Sequence, residues 1–302
     1  MVSDNTRGAL LMAGSMTAFT LNDTLMKTLA GEVPFFQAVF LRGVATLVLM
    51  VAIAPLFGGL RLRLSRRDWR LVVLRSLAEV ASAYFFITAL YNMPLANVSA
   101  ILQALPLTVT LAGALIFGEA VGWRRLGAIL VGFAGVLLIV RPGTEGFTIY
   151  SVYALLAVAF VTVRDLTARR MSREVPSFTV AISAAVAVTV FMGAGSVFVD
   201  WAPMGVGALL AGFGASVFVI AGYLCSVAAM RVGEIGAVAP FRYTSLLVAL
   251  VLGFLVFGDW PATPTLIGGA LVVATGLFTL YRERARAAAP SAVSRPAPLR
   301  IR

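Results

Sequence analysis

Read from the N-terminus, the chain alternates long apolar stretches with short polar ones. Ten stretches, roughly 8–29, 35–57, 71–91, 96–117, 123–140, 149–168, 177–199, 205–229, 236–257 and 264–281, approach the length at which a helix crosses the hydrocarbon core of a bilayer. The connections carry turn residues: Gly58-Gly59, Met93-Pro94, Gly118-Glu119, Arg141-Pro142-Gly143, Val175-Pro176, Ala202-Pro203, and Pro261 with Pro264. The pattern predicts an all-α integral membrane protein with ten transmembrane helices. The first stretch has a polar centre that breaks any signal-peptide core, so it reads as a first membrane helix rather than a cleaved leader.

Composition supports this reading. The 302 residues are 60% hydrophobic and 12% charged, with a mean hydropathy of +0.97. A soluble domain is about 45–50% apolar and about 25% charged. There is no His and one Cys, Cys225. These counts leave no disulfide framework, no His-dependent serine chemistry and no His- or Cys-based metal set, so neither a metal nor a cofactor is expected. Lys27 is the single Lys and no phosphate-binding G-x-x-x-x-G-K-[ST] occurs, which removes ATP hydrolysis by that route.

The formal charge of +11 raises nucleic-acid binding, and the placement of the charge removes it. With a cytoplasmic N-terminus, Arg7, the cluster Arg61, Arg63, Arg66, Arg67 and Arg70, Arg124 and Arg125, Arg169, Arg170 and Arg173, Arg231 and the arginines from Arg282 onward all lie inside. Only Arg141 stands opposite, with Lys27 near the outer end of its helix. This is the positive-inside pattern, and it places both termini in the cytoplasm. Residues 285–302, rich in Ala, Pro and Arg without apolar period, read as a disordered cytoplasmic tail.

The chain also repeats itself. "DTLMKTLAGEVPFF" (23–36) aligns with "DLTARRMSREVPSF" (165–178), "IFGE" (116–119) with "VFGD" (256–259), and "LGAILVGFAG" (126–135) with "IGGALVVATG" (267–276). The repeats divide the chain into five helices over 8–141 and five over 148–282. Because five is odd, the halves insert in opposite orientations, the arrangement of secondary transporters that alternate access about a midplane site.

Five helices plus five, the Arg-rich cytosolic loop, "ALPLTVTLAGALIFGE" (104–119) with Pro106 ahead of Gly118-Glu119, and the Gly-rich fifth helix resemble the drug/metabolite transporter superfamily of EamA type. The resemblance covers about residues 8–282. It implies an exporter of small metabolites in the bacterial cytoplasmic (inner) membrane, with a central cavity between the halves; the YddG-type amino-acid exporters look most similar. The second copy departs from the first: Leu246 stands where Pro106 would recur, Asp259 replaces the Glu, and Pro240 comes six residues early. The symmetry of the fourth and ninth helices is thus left open.

Candidate functional residues are the polar side chains inside the apolar stretches, where a charge is costly unless partnered. Asp23 and Lys27 are spaced i, i+4 as a self-neutralising pair, and Arg42 lies at matching depth in the antiparallel second helix. An Asp23–Arg42 pair is expected to close or brace the outer side; helix-end snorkelling is the alternative. Glu79 and Arg164 are depth-matched near the cytoplasmic side, beside Arg75 and Asp165, and form a candidate inner gate. Arg164 and Asp165, being adjacent, are expected to face apart. Arg242, with Tyr243 and Gln103 at equivalent places in helices nine and four, is the candidate anion site, and Tyr84 and Tyr223 are candidate liners of a pocket for amphipathic ligands. The small-residue pairs Ala128/Gly132 and Ala208/Gly212 are expected to be helix contacts.

The expected function is export of small metabolites, most readily aromatic or other amphipathic amino acids, by alternating access, with nucleotide-sugar or phosphate-ester exchange as the alternative. A membrane-embedded enzyme finds no motif in its support. The expected partners are a small-molecule substrate and the bilayer, with no nucleic acid, for a monomer.

Overall fold

The computed structural model describes residues 3–57, 63–118, 122–143, 147–172 and 174–288. Gly58-Gly59, Arg61, Glu119, Arg173 and residues 289–302 lie outside this set. The described residues form helices α1 (Asp4–Thr28), α2 (Phe35–Ile53), α3 (Arg66–Asn92), α4 (Leu95–Leu102), α5 (Leu105–Phe117), α6 (Trp123–Val140), α7 (Ile149–Arg169), α8 (Ser177–Ser196), α9 (Val206–Val232), α10 (Ile235–Val238), α11 (Thr244–Phe257) and α12 (Thr263–Ala288). The segments α4 and α5 make one crossing. So do α10, a 3-10 turn at Ala239–Tyr243, and α11. The total is ten crossings. Among the described residues nine spans are long and apolar enough to cross a membrane. The tenth crossing, α1, has 25 residues and is less apolar than the others because Ser, Thr, Asn and Asp side chains interrupt it. The tail expected to be disordered begins as helix, since α12 continues to Ala288.

Local chemistry sets the ends. Ser3 and Ser65 cap α1 and α3 by accepting from the N–H of Thr6 and of Asp68 at 3.3 and 3.0 Å. The repeated Phe-Gly pair closes α5 and α11: Gly118 (φ 68°) and Gly258 (φ 69°) take the left-handed conformation that a helix C-terminus needs and a β-carbon disfavours. The fourth and ninth crossings share a break but not the segment before it, which is the eight-residue α4 in one and α10 with a 3-10 turn in the other. Both break at matching places, Gln103-Ala104 and Tyr243-Thr244, although the prolines differ in position. Pro106 deprives the Leu102 carbonyl of its i+4 donor, whereas Pro240 tightens the chain into the 3-10 turn.

The packing shows the pseudo-twofold directly. α1 lies along α9 as α7 lies along α3; α2 touches α9 as α8 touches α3; α1 touches α11 as α7 touches α5. The pairs α2–α8 and α6–α12 map onto themselves and therefore straddle the axis, whereas α4–α11 is not its own image, because α4 corresponds to α10 with the 3-10 turn and α11 to α5. Since the halves have opposite directions, that axis lies in the membrane plane. The described arginines collect at the helix ends of one side, which the positive-inside rule makes cytoplasmic.

The α6–α12 contact is the tightest across the axis. A β-carbon on Gly135 would lie 2.8 Å from the Gly268 carbonyl oxygen and 3.0 Å from Leu271 Cβ. Gly132 is likewise closed in, by Leu107 and Thr275, but Gly212 has open space where its β-carbon would stand. Of the two expected small-residue contacts, the Ala208/Gly212 pair is thus not one at Gly212. Gly135→Leu should overpack this seam and cost about 1–3 kcal/mol, read as a lower Tm of the detergent-solubilised protein. Gly212→Ala should leave Tm unchanged.

Candidate functional site

Burying charge in lipid-excluded protein requires an internal partner, and the partners organise the interior into two clusters. The first joins α1 to α2. Arg42 Nη1 donates to Asn22 Oδ1 at 3.1 Å, and Asn22 Nδ2 donates to Asp23 Oδ1 at 2.8 Å. Only one amide orientation satisfies both neighbours, since the flipped amide would set donor against donor. The expected Asp23–Arg42 pair is therefore not a direct contact: the Asn22 amide stands between the two charges. Arg42 is fixed to the second half through its backbone, whose carbonyl accepts from Ser216 Oγ on α9 at 3.0 Å.

The second cluster joins α3 to α7. Arg164 Nη1 reaches the two Glu79 carboxylate oxygens at 3.3 and 3.5 Å, and Arg75 Nη2 approaches Glu79 at 3.7 Å. Arg164 Nε donates to Asp165 Oδ1 at 2.9 Å. Adjacency does not keep this last pair apart, because the flexible arginine stem curls its Nε back to the neighbour. Two arginines and two carboxylates neutralise one another here.

The clusters are counterparts under the repeat. Asn22-Asp23 aligns with Arg164-Asp165, and in each dipeptide the first side chain donates to the aspartate of the second. The outward partner differs. Asn22 accepts from a cation on α2, whereas Arg164 donates to a carboxylate on α3.

Half-buried aromatic rings lie between α2, α3 and α8. Tyr84 meets Phe35 edge-on at 5.7 Å, Phe36 at 6.4 Å and Phe191 at 6.3 Å, while Phe35 also meets Tyr91 at 5.8 Å. The other predicted residues scatter. Gln103, 7% exposed, donates to Ser245 Oγ at 2.7 Å and so ties the break of the fourth crossing to that of the ninth. Tyr243 is buried against Gly276, and Arg242 is exposed. Tyr223 Oη donates to the Ser177 carbonyl at 3.1 Å, which pins α9 to the start of α8. The structure thus brings Asp23 near Arg42 and gathers Glu79, Arg164 and Asp165, with Tyr223 close enough to Arg75 to interact with it electrostatically, but it does not bring Arg242 or Tyr243 to either cluster. Among the described residues no trio of His, Cys, Asp or Glu is placed to hold a metal.

Two contacts were missed from the sequence. Lys27 Nζ donates to the Leu90 and Met93 carbonyls at 3.0 and 2.6 Å, capping α3, and lies 5.3 Å from the Phe257 ring centre at the end of α11. Arg170 lies 4.8 Å from the Phe117 ring centre at the end of α5. Phe257 and Phe117 are the repeated Phe-Gly phenylalanines. The signal was present: each half ends its first helix in a cation and its fourth in Phe-Gly. By the inversion, one latch sits on the outer face and the other on the cytoplasmic face.

Comparison with known proteins decides what this scaffold is. Two segments, 6–141 and 148–281, each match the EamA-like transporter family. The chain belongs to that family. Its relatives include an S-adenosylmethionine uptake transporter of Rickettsia prowazekii (23% identical, 89% of this chain and 91% of the relative). A pseudopaline exporter of Pseudomonas aeruginosa is 26% identical over 88% of this chain and 93% of its own. A riboflavin transporter of Vibrio cholerae is 28% identical over 78% and 80%. A solved structure 23% identical in sequence covers 93% of this chain and 99% of its own with a TM-score of 0.63, which shares the fold. These relatives are transporters of small metabolites and are not YddG-type amino-acid exporters in particular.

Ring–cation contacts that join the halves on opposite faces act as opposed latches if the halves rock. A ring–cation contact at an exposed site is worth about 0.5–1 kcal/mol, and a hydrogen bond from a charged donor about 1.5–3 kcal/mol. Of these, only the ring–cation contacts join the two halves, since the Lys27 hydrogen bonds stay within the first half, so Lys27→Met should favour outer opening by about 3-fold and Arg170→Met the reverse by about 3-fold. The readout is labelling of Thr20→Cys, in a Cys225→Ser background, by an impermeant maleimide added outside. Labelling rates that move together in the two variants would refute opposed latches.

Proposed function

We propose that this EamA-like transporter exports small zwitterionic metabolites, amino acids with aromatic or thioether side chains foremost, by rocking its inverted halves about the α2–α8, α4–α11 and α6–α12 contacts. One observation carries the reading. The Asn22–Asp23–Arg42 cluster holds one carboxylate and one guanidinium in the protein interior, separated by an amide instead of being collapsed into an ion pair. An interior site with both signs of charge held apart suits a ligand that itself carries both. The aromatic rings around Tyr84, Phe35 and Phe36 supply the apolar wall.

The relatives named for S-adenosylmethionine and pseudopaline support a metabolite with charged and apolar parts. They are named for opposite directions, as expected where the substrate gradient rather than the scaffold sets the direction. Arg42, beside the Asp23 carboxylate, is one interior cation with an anion at hand, which suits a zwitterion better than a phosphate ester with its two negative charges.

Proteoliposomes preloaded with unlabelled amino acids test this. The expected result is saturable counterflow of labelled phenylalanine or methionine and none of a sugar phosphate, with flux measured with and without a proton gradient. Flux that rises linearly with concentration, without counterflow, would mean a channel and would sink the proposal.

A further inference from the structure

The Arg42 guanidinium is buried but not saturated. Its Nη1 is engaged by Asn22, while Nε is buried without an acceptor and Nη2 has none among the described residues. Nε and Nη2 carry the two parallel N–H groups of the guanidinium edge that receives a carboxylate in bidentate fashion. An orphaned arginine donor in a protein interior costs free energy unless something fills it.

A second orphan lies nearby. The Tyr91 hydroxyl is buried without a partner, and its ring is close enough to Arg42 to interact with it electrostatically. Side chains on a helix lean toward its N-terminus. Tyr91, at the outer end of α3, therefore leans inward, and Arg42, in the first half of α2, leans outward, so that they converge. Asp23 accepts at Oδ1 from Asn22, and its Oδ2 has no hydrogen bond among the described residues. The free edges of the cation and of the anion are thus both left available by the same amide.

We infer that Asn22, Asp23, Arg42 and Tyr91 form the head-group subsite of the transporter. It binds an α-amino acid with the carboxylate on Arg42 Nε and Nη2 and Tyr91 Oη, and the ammonium on Asp23 Oδ2. Asn22 is the spacer: it keeps Asp23 from taking the guanidinium edge that the substrate needs. The aromatic rings from Phe35 to Tyr84 adjoin this subsite and receive the side chain. The inner cluster differs: Glu79 already takes Arg164 with both oxygens, and its one buried unpartnered donor among the described residues, Arg75 Nη1, belongs to an arginine whose Nη2 already approaches Glu79. This inference rests on the zwitterion reading above and adds the atoms that would recognise the ligand.

The test uses the full chain in nanodiscs and three probes: L-phenylalanine, L-phenylalaninamide, which lacks the carboxylate, and 3-phenylpropionate, which lacks the ammonium. The unaltered protein should bind phenylalanine at least about 10-fold more tightly than either truncated probe. Arg42→Lys should erase about 10-fold of the preference for phenylalanine over its amide, and Tyr91→Phe about 3-fold, with affinity for the amide unchanged. Tyr91→Phe keeps the ring and its packing, so it remains informative if Arg42→Lys fails to fold. If the unaltered protein binds phenylalanine with this preference but neither variant changes it, the subsite is wrong and the zwitterion reading stands. If the unaltered protein does not bind phenylalanine, or binds it no better than the two truncated probes, both fall.

Discussion

The constraint on which this structure depends is that a charge inside a bilayer must be answered by protein. Every interior ionic group in the two clusters has at least one protein partner, and these bonds hold the helices in register. Glu79 joins α3 to α7 through Arg164; Asn22 joins α1 to α2 through Arg42; Lys27, on α1, reaches the last carbonyls of α3. In a medium where apolar contact gives no hydrophobic drive between helices, such bonds and the close glycine seam of α6 and α12 carry the specificity that a water-excluding core would carry in a soluble protein. Their cost if broken is also what makes them switchable: each can be exchanged only for an equivalent partner, which a substrate or a rearranged helix can supply.

The inversion then turns each answer into a pair. A bond formed between the halves near the outer face has a counterpart near the cytoplasmic face, because the same helix pairs recur with their directions reversed. The Phe-Gly repeats illustrate this economy. The glycine turns the chain out of the helix, and the phenylalanine beside it presents its ring to a cation from the other half, Lys27 outside and Arg170 inside. One short motif thus ends a helix and latches a face.

Much of this was legible in the sequence, for physical reasons that also mark where legibility ended. Apolar length and arginine placement report helices and orientation because lipid punishes any other pattern, so the ten crossings and the inverted repeat could be read directly. The meeting of Glu79 with Arg164 followed from depth alone, since helix rise converts residue number into height. What depth cannot give is rotation about the helix axis and side-chain reach. Asn22, with no charge to mark it, gave no sign of being the element between Asp23 and Arg42. The matched breaks in the fourth and ninth crossings were hidden because two different local causes, a missing N–H at Pro106 and a 3-10 turn at Pro240, give the same discontinuity. Tyr91 carried only a weak signal, its i, i+7 spacing from Tyr84 on α3.

The departure from symmetry is where function enters. Aligned by the repeat, Asn22 faces Arg164, and the substitution inverts the chemistry of the dipeptide without changing its geometry. In the inner cluster a cation beside Asp165 takes up a second carboxylate, so charges of both signs are consumed within the protein. In the outer cluster a neutral amide beside Asp23 can satisfy an arginine at one nitrogen only, which leaves donors and an acceptor unspent. Two copies of an ancestral closure would be interchangeable. On the reading proposed above, the amide makes the outer copy the site and leaves the inner copy the brace.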